Sequence, residues 1–171
     1  MLPRLFPALL AALLSAVACK PLPRVDSGGS ETKAPKADGE FPYREYIDAV
    51  YNQHDPSAID KYFSSSVVVH SVAPDAEDGT GTEYLKELAK NLLAAFPDVK
   101  LSVQEVLVDK DRLAARVSIE GTHKGDFAGI KPTGKSVKAQ NFAIYRIEGG
   151  KIVEVWSLTD VAAITRQLGK K

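Results

Sequence analysis

The sequence predicts an α+β domain in which helices come first and an antiparallel sheet comes second. Two patterns predict it. Apolar residues recur three and four apart in the segments up to Phe96, which is helical spacing, and at every second residue in much of the chain beyond Pro97, which is strand spacing. The later segments are joined by short polar or glycine turns, and sequential strands so joined pair antiparallel. Helices gathered at one end of the chain, with such a sheet, give α+β and not alternating α/β.

The chain has 171 residues, 44% hydrophobic and 26% charged, which is globular composition for one ordinary domain with appendages. Lys+Arg and Asp+Glu number 22 each, so no charge excess is available to attract nucleic acid.

Residues 1–18 open with Arg4 and then run apolar from Leu5 to Ala18. A bilayer crossing needs roughly 20 apolar residues, so this shorter run fits the core of a cleaved export signal. It ends in Ser15-Ala16-Val17-Ala18-Cys19, which resembles the lipobox ahead of a diacylglycerol-modified cysteine, with Ala16 where a larger aliphatic residue is usual. Cys19 is the sole cysteine, so an intrachain disulfide is impossible. The expectation is lipidation at Cys19 and an exported, membrane-anchored lipoprotein of the bacterial cell envelope. A plain secretory signal cut near Ala18 would instead leave a free thiol. Residues 19–40 hold Pro, Gly, Ser and charge with almost no large apolar side chain, and read as a flexible tether.

The domain spans 41–171. Tyr43, Tyr46, Ile47, Val50 and Tyr51 form a first helical stripe, which Asp55-Pro56 stops. A short helix with Ile59, Tyr62 and Phe63 on its apolar side comes after it. Val67-Val68-Val69-His70 reads as a short strand and residues 78–82 as a loop. Leu85, Leu88, Ala89, Leu92, Leu93 and Phe96 mark the clearest helix, ended by Pro97. Strands are expected over 101–108, 113–120, 137–147 and 152–158, with turns at Asp109-Lys110-Asp111 and Glu148-Gly149-Gly150-Lys151 and a longer loop over 124–136. Asp160 could cap a closing helix that turns Val161, Ile164 and Leu168 inward.

Several strings carry a family resemblance when taken in order and spacing. They are Val67-Val68-Val69-His70, Ala95-Phe96-Pro97-Asp98, Gly121-Thr122-His123, the loop Gly125 to Lys135, the run Tyr145 to Trp156, Asp160 and Gln167-Leu168-Gly169. Over about residues 43–169 the chain resembles the SnoaL-like polyketide cyclases of the nuclear transport factor 2-like superfamily. The resemblance implies a cone-shaped fold in which helices close one side of a curved sheet around a mostly apolar pocket. It also implies cofactor-independent ring closure of a polyketide ester, with an acidic acid/base and polar groups that hold the enolate. Pairing of two chains through the outer face of the sheet is implied as well, giving a homodimer. Fold alone does not fix activity, since many relatives of such folds do other things.

His123 shares a strand side with Gly121, the side that the resemblance turns to the pocket. It could polarise a carbonyl or shuttle a proton, or it could be a sheet-end histidine held by hydrogen bonds. The resemblance brings His70 near the pocket too; otherwise it is a strand-end residue. A metal pair of His70 and His123 lacks a third ligand, so no metal site is expected. Asn52 matches a polar pocket residue of the cyclases or is a helix-end residue facing water. Asp160 is a candidate acid/base beside its capping role, and Trp156 is a flat pocket wall or ordinary core. The cyclases carry their acid/base aspartate on the strand 137–147, where this chain places Ala143. Alanine cannot take a proton from carbon. Asn141 and Tyr145 lie on the Ala143 side of that strand and Gln140 on the other; they can hydrogen-bond a ligand but are poor bases near neutral pH. The expected function is therefore an envelope-anchored protein whose pocket binds a small apolar molecule without catalysis. The alternative is an ester cyclase or isomerase acting on a polyketide-like carbonyl through His123 or Asp160.

Overall fold

The computed structural model describes residues 41–72 and 76–169. The export signal, the lipidation of Cys19 and the tether lie outside the described residues. No helix among the described residues is long and apolar enough to cross a membrane.

The first stripe forms α1, Tyr43–Ile47, and then widens into a π-turn, Asp48–Asn52. Asp55 caps the next turn, accepting the Ser57 N–H at 3.0 Å, with Pro56 at the first position of a 3₁₀ turn that leads into α2, Ile59–Tyr62. The strand β1, Phe63–His70, begins four residues earlier than the β-branched run suggests. Ser64, Ser65 and Ser66 hide its alternation in the sequence. Gly79–Thr80 adds a two-residue strand, β2, where a loop was expected. Then come α3 (Gly81–Ala95), β3 (Lys100–Asp109), β4 (Arg112–Thr122), β5 (Ser136–Glu148), β6 (Lys151–Thr159) and α4 (Val161–Leu168).

The six strands make one sheet in the order β2-β1-β6-β5-β4-β3. The four expected strands form its antiparallel half, and β1 joins parallel to β6, pairing Val69 with Val155 and His70 with Trp156. A parallel neighbour needs a long crossover, which is why no hairpin signal announced it. The alternation sorts β4 and β5 cleanly. Leu113, Ala115, Val117 and Ile119 are buried, as are Val137, Ala139, Ala143 and Tyr145, and all face the helices. Val50, Val67, Leu113 and Ile152 are fully buried, each side chain worth roughly 1.5–3 kcal/mol of transfer free energy. The sheet is curved and unclosed, and the helix-covered side of that curve holds a cavity.

Candidate functional site

The cavity, of about 450 Å³, lies between the helices and the inner face of the sheet. That volume is within the range of small-molecule sites. Its walls are mostly aliphatic and aromatic, from Ile47, Val69, Leu92, Val117, Ile119 and Val155 among others. Two polar stations interrupt them.

The first station is phenolic. Tyr43, Tyr46, Tyr51 and Tyr145 all line the cavity. The Tyr43 and Tyr145 hydroxyls share a hydrogen bond at 3.2 Å, and Tyr46 and Tyr51 stand beside them. The rings run on without a break, with centroids 5.3 Å apart for Tyr43–Tyr145, 5.7 Å for Tyr43–Tyr46 and 6.1 Å for Tyr46–Tyr51. Burial pushes the Tyr43 phenol up to about 12, raises Tyr51, and raises Tyr46 and Tyr145 well above the ordinary value. All four are therefore neutral hydrogen-bond donors at physiological pH. The helix stripe positions three of them, because residues three and four apart share a helix face and the π-turn carries Tyr51 round to join it.

The second station sits four residues earlier on β5. The Asn141 Nδ2 donates to Ser157 Oγ at 2.8 Å and to Thr159 Oγ1 at 2.9 Å, and all three side chains line the cavity. Antiparallel register sets Asn141 opposite Thr159, so the cluster is a cross-strand product of β5 and β6. Ala143 lies between the two stations on the same strand face, buried, with Ala115 and Ser157 as its cross-strand partners.

At the cavity mouth stands Asp126, in the loop between β4 and β5, with Phe127 and Ala128 beside it. This loop is fastened to the end of α3, where the Lys124 and Gly125 N–H groups both donate to the Ala95 carbonyl, at 2.9 and 3.0 Å. Gly125 is required there, since a Cβ would stand 2.2 Å from the Ala94 carbonyl oxygen. Phe127 and Ile130 then exchange two backbone hydrogen bonds across Ala128 and Gly129, both at positive φ. Asp126 is the one charged residue lining the cavity among the described residues; its carboxylate lies 2.7 Å from Lys131 Nζ.

The sequence-derived candidates divide. Asn141 and Tyr145 line the cavity as their strand side demanded. His70 and Trp156 do not. Both stand on the opposite face of the sheet, where their rings stack at 4.4 Å and Arg112 lies over the indole at 5.1 Å. There the His70 Nδ1 meets Asp78 at 2.9 Å, and the Ser71 N–H and His70 together hold the Asp78 carboxyl below its usual range. The parallel pairing of β1 with β6 fixes both on that face. His123 is fully buried but lines no part of the cavity. Its Nδ1 accepts the Thr133 N–H at 3.2 Å, which places the ring proton on Nε2, a buried atom without a partner among the described residues. The His123 ring packs on Phe96, behind the cavity wall. Asn52 turns away to β3, where it accepts the Leu101 N–H at 2.9 Å and donates to the Leu101 carbonyl at 3.0 Å. Asp160 is an exposed helix cap, accepting the Ala163 N–H at 2.7 Å, and is absent from the cavity lining. His70 and His123 are on different layers of the molecule and do not meet. The place of Tyr43, Tyr46 and Tyr51 beside Tyr145, and Asp126, went unnoticed in the sequence. The signal for the tyrosines was their crowding into one apolar helical stripe; for Asp126 none exists beyond its place in the glycine-rich loop.

The matching family model, SnoaL-like polyketide cyclase, covers residues 43–168. This chain belongs to the SnoaL-like polyketide cyclase family. Solved relatives share the nuclear transport factor 2-like fold. AclR from Streptomyces galilaeus, a candidate hydroxylase, is 29% identical with a TM-score of 0.66 over 77% of this chain and 84% of its own. TsrD from Streptomyces laurentii is 25% identical with a TM-score of 0.67, covering 75% of this chain and 92% of its own. A SnoaL-like polyketide cyclase from Agrobacterium tumefaciens is 27% identical with a TM-score of 0.61, covering 74% and 94%. No curated protein sequence matches the chain.

Proposed function

We propose that this SnoaL-like chain is an envelope-anchored pocket protein that holds a small, uncharged, largely apolar molecule without turning it over. The observation that carries the reading is the pairing of an apolar cavity of about 450 Å³ with Ala143 on the strand where the cyclases keep their acid/base aspartate. No Lys, Arg or His lines the cavity among the described residues, so an ionised guest would find no counter-charge there. The lone Cys19 behind a short apolar leader supports the anchor. Native mass spectrometry of the full-length protein, solubilised from membranes, tests the binding: a small organic molecule released only on denaturation is expected. A chain that carries no such molecule and binds no member of a panel of uncharged polycyclic compounds would end the reading. Cys19→Ala should move the protein from the membrane fraction to the soluble fraction, and unchanged fractionation would remove the anchor.

One observation favours a second reading, an ester cyclase or isomerase acting on a polyketide-like carbonyl. Asp126 supplies a carboxylate at the cavity mouth, which neither His123 nor Asp160 does. Turnover of an aromatic polyketide ester that disappears in Asp126→Asn and survives Asp160→Asn would establish it. The reading also pairs two chains through the outer sheet face, where Leu107, Phe142, Ile144 and Leu158 are exposed. Solvent-facing apolar patches of this kind mark association surfaces.

A further inference from the structure

Resting on the proposal that the cavity holds a guest, we infer that the Tyr43–Tyr145 phenol pair is a specificity device that receives an oxygen acceptor, such as a ketone or ester carbonyl, on an otherwise apolar guest. A count of protons leads there. Two hydroxyls that share one hydrogen bond use one proton between them, and the phenol that accepts keeps its own O–H free to donate. Tyr46 and Tyr51 pack beside the pair, with ring centroids 5.7 Å apart for Tyr43–Tyr46 and 6.1 Å for Tyr46–Tyr51, so the spare donor stands among phenols and not in the aliphatic wall. Phenylalanine would line an apolar cavity equally well. Buried hydroxyls cost free energy unless partnered, so the unspent donor of this pair in a greasy hollow implies an acceptor that arrives with the guest.

The geometry also sets the shape of that guest. Tyr145 and Asn141 are four residues apart on one strand face, about 13 Å along the strand at the usual rise. Between them Ser157 lines the cavity, and its neighbours across the sheet, Ala143 and then Ala115, carry only methyl groups. A guest polar at one or both ends and flat and apolar between them fits this spacing. No cation lines the cavity among the described residues, so a neutral oxygen is preferred to a carboxylate.

The test uses prodan, an uncharged aryl ketone whose emission moves to the red when its carbonyl accepts hydrogen bonds, and its parent dimethylaminonaphthalene, which lacks the propionyl group. Wild-type protein should bind prodan more tightly than the parent compound. The carbonyl stretch of bound prodan should lie below its value in an apolar solvent. Tyr145→Phe, alone and with Tyr43→Phe, should weaken prodan binding roughly two- to tenfold, as expected for losing a neutral hydrogen bond, and shift its emission to the blue. Affinity for the parent compound should not change, which shows that the variant cavity is intact. Equal affinity for both compounds in wild type, or prodan emission indifferent to the substitutions, overturns the inference and leaves the cavity reading standing. Failure of both compounds to enter the wild-type protein ends the cavity reading and this inference with it. Should the variants lose the parent compound as well, the wild-type carbonyl stretch decides alone: an apolar-solvent value overturns the inference.

Discussion

Replacing Ala143 with aspartate puts a carboxylate at the strand position to which the resemblance assigns the cyclase acid/base, and its cost is set by the surroundings. Ala143 is 4% exposed, and its cross-strand neighbours are Ala115 and Ser157. One hydroxyl is the most help an aspartate could find there, with no cation lining the adjacent cavity among the described residues. Burial therefore raises the carboxyl pKa. A rise of about two units from the ordinary ~3.9 is worth about 2.7 kcal/mol against the folded state when the group is ionised. The folded value lies above the unfolded one, so this penalty is small near pH 4 and complete above about pH 6. Crowding by the larger side chain adds a cost that does not vary with pH, and Ala143→Asn carries the same crowding without the charge. Urea unfolding of both variants at the two pH values isolates the electrostatic part. The stability gap between them should be about 2 kcal/mol wider at pH 7 than at pH 4. A gap that does not change with pH would mean that water reaches the strand at Ala143, and the account of its burial would fail.

Asp160→Ala removes the cap of α4 and should cost about 1 kcal/mol in urea unfolding, with binding of apolar probes unchanged; a lost ligand at full stability would restore Asp160 to the site. Asn52→Ala breaks both hydrogen bonds to Leu101 and should cost about 1–3 kcal/mol while probe affinity holds. Phe142→Asp with Leu158→Asp places charge on the outer sheet face and should convert a dimer to a monomer in analytical ultracentrifugation; an unchanged sedimentation coefficient refutes pairing through that face. The cavity phenols have folded pKa values raised above the unfolded value of about 10. The stability they carry is present below that pH and is lost as the pH climbs toward about 12 and beyond. Tyrosinate absorbance should accordingly rise in two stages, the second coinciding with unfolding. A single transition of all six tyrosines near pH 10 would contradict their burial.

The antiparallel half of the sheet was legible because hairpin strands declare themselves locally, through alternation and turns such as Glu148 to Lys151. The pairing of β1 with β6 joins residues about ninety positions apart, and no local signal carries it. That one pairing decides which way His70 and Trp156 face, so both stand on the outer side of the sheet for a single cause. Asn141 and Tyr145 share the cavity-lining side because a strand face is fixed by parity along one element. His123 illustrates the limit of the same rule. Parity puts it on the inner side of β4, but it lies just beyond the strand's end, where Phe96 and Thr133 enclose it before the cavity begins. The tyrosines of α1 were read as core, which they are; that their hydroxyls also face a hollow depends on volume left empty by other elements, which no spacing rule reports.

Whether such a cavity binds or catalyses turns on where its charge is kept. A general base must come within hydrogen-bond reach of the proton it removes. Asp126 is 61% exposed and ion-paired to Lys131, a surface pair of the kind worth at most about 1 kcal/mol. Its neighbour Gly125 is fastened to the Ala95 carbonyl and has no room for a side chain, so Asp126 hangs one residue from a fixed point and cannot swing to the depth of Tyr145. Any proton it takes must sit on the end of the guest nearest the loop, on the Asn141 side of β5. Tyr145, by contrast, stands toward the other end of that strand. Proton removal and oxygen stabilisation must act on adjacent atoms for enolate chemistry, and the polar groups on the Asp126 side of β5 are Asn141, Ser157 and Thr159, with Tyr145 about 13 Å further along the strand from Asn141. A guest that reacts would have to set its acidic carbon beside the Asn141 station, whereas a guest that is only held can use Tyr145 as well.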